Sequence, residues 1–332
     1  MFLNSLLTGG LTLTIFRKGA DFMDRFKGKV GGLQAYTITE QNFFEVTGNE
    51  PPYCVKGANG ERRLYAVCPL CDNPIQIIGL YKDTPEAGRK PYGRHNKGTI
   101  PHLAQYDEGE YLDCPYANPN RKTLSKYRRP ESKIGRQIYD LLREQFDRVI
   151  YLLKKDTGIF ISEATAAYML KEYLGDRGYL YRVATLYNLP WSFAFGTLPK
   201  KLYGRKIIQG SELHKALHEH CPDVIFIGES KDEYVQVKPR GKRNLGLYYA
   251  FYNFRQHQGS DTDDSENIVE TVDFVVYRSQ GVRKNLTEIY KKTITINPDY
   301  FMNLVCLAEE KAYRNETLLN LANLRMQGFK TE

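Results

Sequence analysis

Two cysteines separated by a proline and a leucine, Cys68-Pro69-Leu70-Cys71, constrain this chain more than any other feature. A Cys-x-x-Cys turn can bring two thiolates to one ion, and zinc asks for four soft or borderline donors in a tetrahedron. The other donors must come from downstream, where Gly93-Arg94-His95, Pro101-His102 and Asp113-Cys114-Pro115 all lie among turn-forming residues. The expected set is Cys68, Cys71, Cys114 and one imidazole, with His95 and His102 both open as its source. Three thiolates and an imidazole leave no coordination position for a substrate, so the expected role of the metal is structural. A thioredoxin-like redox pair would need a βαβ setting, and Asp72-Asn73-Pro74 does not open a helix.

Six cysteines in 332 residues are too few for a disulfide scaffold, which places the chain in a reducing compartment, the cytoplasm. Residues 2–16 are apolar, yet no positive segment precedes them and Arg17 and Lys18 follow, an order that argues against export. The stretch is shorter than the roughly 20 apolar residues of a membrane helix, and Gly9 and Gly10 interrupt it. Residues 1–22 therefore read as an apolar extension, with Met23 as an alternative start and no membrane partner. A hydrophobic fraction of 42% and a charged fraction of 26% predict a folded chain rather than a disordered one.

The segment 23–120 is rich in Gly, Pro and Asn with short β-prone runs, such as Arg63–Val67 and Ile75–Tyr81, and reads as a zinc ribbon-like module. Its thin hydrophobic supply makes a metal cross-link the expected source of stability. A basic linker, 121–130, ends in Pro130, placed to enter the first turn of the next helix. The helical region, 131–205, opens with Ile134, Ile138, Leu141, Leu142, Phe146, Val149, Ile150 and Leu153, the stripe of one long amphipathic helix ended by Asp156-Thr157-Gly158. Ser162 with Glu163 starts a second helix that runs to Gly175. The remainder, 206–332, carries a short helix capped by Ser211. Hairpin strands Val224–Ile227 and Tyr234–Val237 follow, then Leu247–Gln256 and Ile268–Tyr277, a short strand at Ile294–Ile296 and terminal helices. The expected fold class is α+β, with the zinc module first, helices in the middle and an antiparallel sheet flanked by helices at the end.

A net charge of +8 favours DNA or RNA as a partner, because clustered Lys and Arg release counterions from phosphates. Arg121, Lys122, Lys126, Arg128 and Arg129 in the linker are the candidate contacts, with Tyr116 and Tyr127 interleaved as possible stacking platforms. His214, His218 and His220 with Cys221 place imidazoles one turn apart, but no glutamate completes a metal motif, and they read as a solvated helix face.

Pro222-Asp223 with Gln236-Val237-Lys238 across a hairpin resembles the PD-(D/E)xK nuclease pattern. That resemblance implies Asp223 as a Mg²⁺ ligand and Lys238 as the stabiliser of developing charge. Gln236 stands where an acidic residue is expected, so Glu131 or Glu212 would have to supply the missing anion. Together with Cys68-x-x-Cys71, Ile100-Pro101-His102-Leu103-Ala104 and Cys114, the pattern resembles the competence CoiA-like family, in which a zinc module is joined to a nuclease domain. The resemblance would make His102 the ligand. It covers the knuckle, the Pro-His segment and the hairpin, and nothing beyond Lys238. The plain alternative has Gln236 and Lys238 pointing outward from a half-exposed strand. The expectation taken forward is a zinc-binding, nucleic-acid-associated, non-enzymatic protein, with a metal-dependent nuclease and a protein-interaction adaptor as alternatives.

Overall fold

The computed structural model describes residues 23–57, 59–81, 90–117, 126–229, 231–241, 246–258, 268–280, 285–307 and 314–328. It is a mixed α+β structure with four antiparallel sheets. Two short strands, β1 (Arg25–Phe26) and β2 (Tyr36–Thr37), pair beside helix α1 (Glu40–Thr47), which Thr39 caps at its N-terminus. Strands β3 (Cys54–Lys56), β4 (Arg62–Val67), β5 (Pro74–Ile78) and β6 (Tyr92–His95) then form a meander. Helix α2 (Glu108–Asp113) follows, capped by the Asp107 side chain.

The helical region begins with α3 (Lys133–Glu144), capped by Ser132, whose hydroxyl accepts from the Gly135 amide. Pro130 lies before the cap rather than in the first turn. The single long helix read from the apolar stripe is two helices, because the chain leaves helical geometry at Gln145 and resumes as α4 (Phe146–Thr157). The interruption creates a new, buried N-terminal turn in α4, where Asp147 accepts from Arg314 at 2.9 and 3.0 Å and from the Asn315 amide at 3.1 Å. Stability lost at the break is thus offset by a charged tie to the last helix. Helix α5 (Glu163–Gly175) starts at Ser162 as its sequence predicts, and α6 (Leu189–Phe195) buries Trp191, whose indole N–H donates to Asp156 at 2.7 Å.

Strand β7 (Lys200–Lys201) leads into β8 (Lys206–Ile208), and α7 (Glu212–His220) is capped by Ser211. Strands β9 (Val224–Ile227) and β10 (Tyr234–Pro239) form the expected hairpin and join β8 in a three-stranded sheet of order β8-β10-β9. The longer strands β11 (Gly246–Gln258), β12 (Ile268–Gln280) and β13 (Asn285–Ile296) form a separate sheet of order β13-β12-β11-β7. The short strand expected near residue 295 is therefore the end of a twelve-residue one. Helices α8 (Pro298–Val305) and α9 (Glu316–Arg325) complete the described chain.

One contiguous set of buried apolar side chains runs from Met23 through the knuckle cysteines, the helical region and the long sheet to Met326. The segments distinguished in the sequence thus share a core. Arg25 on β1 also grips Asp299 at the start of α8 with both guanidinium nitrogens, one of them at 2.7 Å. Among the described residues no helix is long and apolar enough to cross a membrane.

Candidate metal centre

Pairing of Val67 with Pro74 closes β4 and β5 into a hairpin whose connection carries Cys68 and Cys71. The turn is tight: the Cys68 amide donates to the Asn73 carbonyl at 2.8 Å, and Asp72 adopts a left-handed φ of 58°. Asp72 is held there by the buried Lys27 ammonium and by Gln137, whose amide donates at 3.1 Å. On the next strand Ile75 pairs with His95, which sets the imidazole beside the knuckle. Cys114 arrives at the C-terminal end of α2, its amide donating to the Tyr111 carbonyl.

Ligand atoms of Cys68, Cys71, His95 and Cys114 all lie within 4.8 Å of one another. The Cys68 and Cys114 sulfurs are 3.8 Å apart, and the Cys71 sulfur is 3.3 Å from His95 Nε2. A tetrahedron built on Zn–S bonds of about 2.3 Å has S–S edges of about 3.8 Å, and its S–N edge is about 3.6 Å. The Cys68–Cys114 separation matches such an S–S edge, and the four donors are close enough together to share one ion. The three cysteines are buried and His95 is half-buried, with the edge of the Tyr111 ring against it.

Taken alone, the four side chains are poorly matched electrostatically. Burial disfavours any thiolate, yet hydrogen bonds from Cys114 and Cys71 and the neighbouring His95 outweigh it and push Cys68 well below the usual thiol range. Burial and interactions with the other two thiols push Cys71 well above it, and burial raises Cys114 too. Burial opposes a charge on His95, but attraction to and hydrogen bonds with Cys68 and Cys114 together outweigh it and raise the imidazole to about 10. A divalent cation would neutralise the thiolates and take the imidazole lone pair.

Asn73, fully buried, supports the ligands in a way the sequence did not announce. Its amide donates to the Cys71 sulfur at 3.4 Å and to the Asp107 carbonyl at 3.0 Å, and its oxygen accepts from the Asp107 amide at 2.6 Å. The knuckle is thereby fastened to the cap of α2, the helix that delivers Cys114. The only advance sign was an Asn directly after the turn, a residue type common in loops.

No protein-family model, curated protein or solved structure matches this chain.

Of the two histidines left open, His95 joins the group, whereas His102 lies outside it, exposed and with a φ of 62°. Arg121 and Lys122 lie outside the described residues. Arg128 corrects the expectation of a surface cation: it is 3% exposed and donates to the carbonyls of Asp113, Tyr181, Arg182 and Ala184. A guanidinium with its donors committed to four backbone oxygens is a structural brace. Arg129 is bound to Asp113 at 2.9 Å and Glu110 at 3.3 Å, and Lys126 sits between Tyr181 and Asp176. Tyr127 packs on Tyr181 and donates to Asp176, and Tyr116 lines a small cleft with Asp24, Arg25 and Glu270.

Lys238 is exposed on β10, opposite Ile225, and Asp223 immediately precedes β9. The Asp223 carboxylate is bound by Arg278 and faces Tyr203 Oη at 3.5 Å. Among the described residues, the Cys68 group is the only set of three or more His, Cys, Asp or Glu side chains close enough to share an ion. Glu131 is exposed, and the equally exposed Glu212 pairs with Lys215, so neither joins Asp223. His214 packs at a tilt against Phe226.

Proposed function

We propose that this chain is a zinc protein whose Cys68, Cys71, His95 and Cys114 hold one structural ion in a ribbon-like module, and that it associates with nucleic acid in the cytoplasm without cleaving it. The observation that carries the zinc reading is the convergence of four donors, three buried and one half-buried, from three separate elements to within 4.8 Å of one another. A set of three thiolates and one imidazole has no open position, so it favours a fold device over a Lewis acid. Its neighbours agree with that role, since Asn73, Asp107 and Glu110 link the centre to the helical core.

The net charge of +8 supports the association with nucleic acid. Arg128 and Arg129 do not carry it, because both are engaged within the fold. The reading keeps a zinc module, with His95 where the CoiA-like resemblance implied His102, and leaves the nuclease half aside, because Asp223 is paired with Arg278 and gathers no second acid among the described residues.

Elemental analysis of the purified chain tests the first half: one zinc per chain is expected, falling to none in Cys68→Ser and Cys114→Ser. Retention of metal in either variant, or a metal-free wild type that melts at the same temperature with and without added zinc, would end that reading. For the second half, affinity for oligonucleotides is expected to fall steeply with salt; binding that does not respond to salt contradicts it.

A further inference from the structure

We propose that the outward face of the three-stranded sheet β8-β10-β9 is a platform for single-stranded nucleic acid. The inference rests on the reading that the protein associates with nucleic acid, and it assigns the surface. The register of the sheet sets which side chains share the face. Gln236 lies opposite Lys206 on β8 and opposite Ile227 on β9, and Lys238 lies opposite Ile225. Residues directly opposite one another project to the same side, and alternate residues follow them. The other side belongs to the core, with Ile207, Val235 and Val237 at 0%, 3% and 0% exposure.

On the outward side Lys206 and Lys238 are exposed, and among the described residues neither ammonium has a carboxylate partner. They are diagonal neighbours across the β8-β10 pair, which sets their Cβ atoms about 7 Å apart. Nearby acids are accounted for. Asp223 is held by Arg278, Glu229 by Lys231, and Asp232 accepts the Glu229 amide. Glu233 and Glu163 are the remaining carboxylates, at the hairpin tip beside Tyr234 and near Lys154.

Aromatic rings complete the face. The backbone of Phe160 continues the sheet beyond β8, its amide donating to the Lys206 carbonyl at 2.8 Å. Its ring meets Tyr234 on β10 edge-on at 5.6 Å, with Lys154 stacked 4.6 Å from the ring centre. Phe160 and Ile227 are 38% and 48% exposed. A short open sheet with one exposed and one half-buried ring beside unpaired cations suits unstacked bases and their phosphates, whereas a protein partner would gain little from the cations. The one outward amide, Gln236, is held by the Gly204 carbonyl at 3.0 Å. Among the described residues the face therefore has no dedicated reader of base edges, and weak sequence preference follows.

The test is fluorescence anisotropy of labelled 20-nucleotide oligo(dT) and oligo(U) with the zinc-loaded full chain. Lys206→Glu/Lys238→Glu is expected to weaken both on the order of tenfold or more. Lys29→Glu/Lys56→Glu, an equal charge change at exposed residues of the N-terminal region, is expected to alter affinity less than the first pair does. Tyr234→Ala should weaken binding by about fivefold or more while the melting curve reports folding. If the wild type binds neither oligonucleotide, the nucleic-acid reading itself fails. If it binds and the Lys206/Lys238 variant binds equally well, or both charge pairs weaken it alike, association stands and this face does not. Displacement by polyglutamate at equal charge would replace the nucleic acid with an acidic protein surface.

Discussion

The Glu110 carboxylate accepts the backbone amide of Lys133 at 2.9 Å and that of Ile134 at 3.3 Å, so a side chain on the helix that delivers Cys114 caps the first helix of the core. Both amides belong to the first turn of α3, which has no partners of its own for them. Helix α2 therefore joins two things at once, ending at Cys114 of the candidate metal centre and capping α3 through Glu110.

Glu110 is 2% exposed, and truncating it leaves buried donors without acceptors. Glu110→Ala should lower stability by about 1–3 kcal/mol, read as a lower urea midpoint at unchanged slope. An unchanged midpoint would show that water or another group takes over the cap.

Removing the metal should be felt beyond the knuckle. His95→Ala is expected to lose zinc and lower the melting temperature, whereas His102→Ala should retain one zinc per chain and melt as wild type. Because metal binding in such sites is folding free energy, the loss is expected to be several kcal/mol. The reverse order of the two histidines would overturn the ligand set.

Asp273 predicts an acid sensitivity. It is 2% exposed on β12, and although burial disfavours its charge, hydrogen bonds from Asn253, Thr293 and Lys291 outweigh that and hold its carboxyl below the usual range. A depressed value in the fold means that its stabilisation is present above the unfolded value of about 3.8 and is lost as pH falls through the folded value. Asp273→Asn should thus be less stable than wild type at pH 6, with the gap narrowing towards pH 3. A gap independent of pH would contradict this assignment.

Asp223→Ala is expected to act on stability and not on catalysis. It strips the partner from Arg278, whose Nε is already buried without an acceptor, and the cost is about 1–3 kcal/mol. Neither wild type nor variant should cleave single- or double-stranded DNA or RNA in Mg²⁺. Cleavage by wild type that disappears in the variant would restore the nuclease.

Arg128→Ala should be among the most damaging single changes, at about 3–5 kcal/mol, because four backbone oxygens lose their donor inside the fold. Arg128→Lys should rescue it only in part, since one ammonium cannot span the same carbonyls. Thermal melting of the three proteins decides it.

These cases show where sequence reading succeeds and where it stops. Cys68, Cys71 and Cys114 are legible because thiol chemistry restricts their partners, and Ser162 and Ser211 because a capping hydroxyl acts within three residues of itself. The choice between His95 and His102 depends on the pairing of β5 with β6, a register that neither local segment encodes. Arg128 looks like a surface cation in its basic run, and only the carbonyls of residues 181, 182 and 184 reveal its place. The interruption at Gln145 has no Gly or Pro to mark it, and its compensation comes from Arg314, far along the chain. Strand β13 hides because Lys291 and Thr293 punctuate it with polar groups that serve Asp273.

The grip of Arg25 on Asp299 spans 274 positions. A ribosome adding about 5–20 residues per second presents the arginine roughly 14–55 s before its carboxylate partner has been synthesised. Strand β1 must wait while those positions are added, which makes this contact a late event in the folding of its own strand and leaves any product that stops short of Asp299 without the clasp.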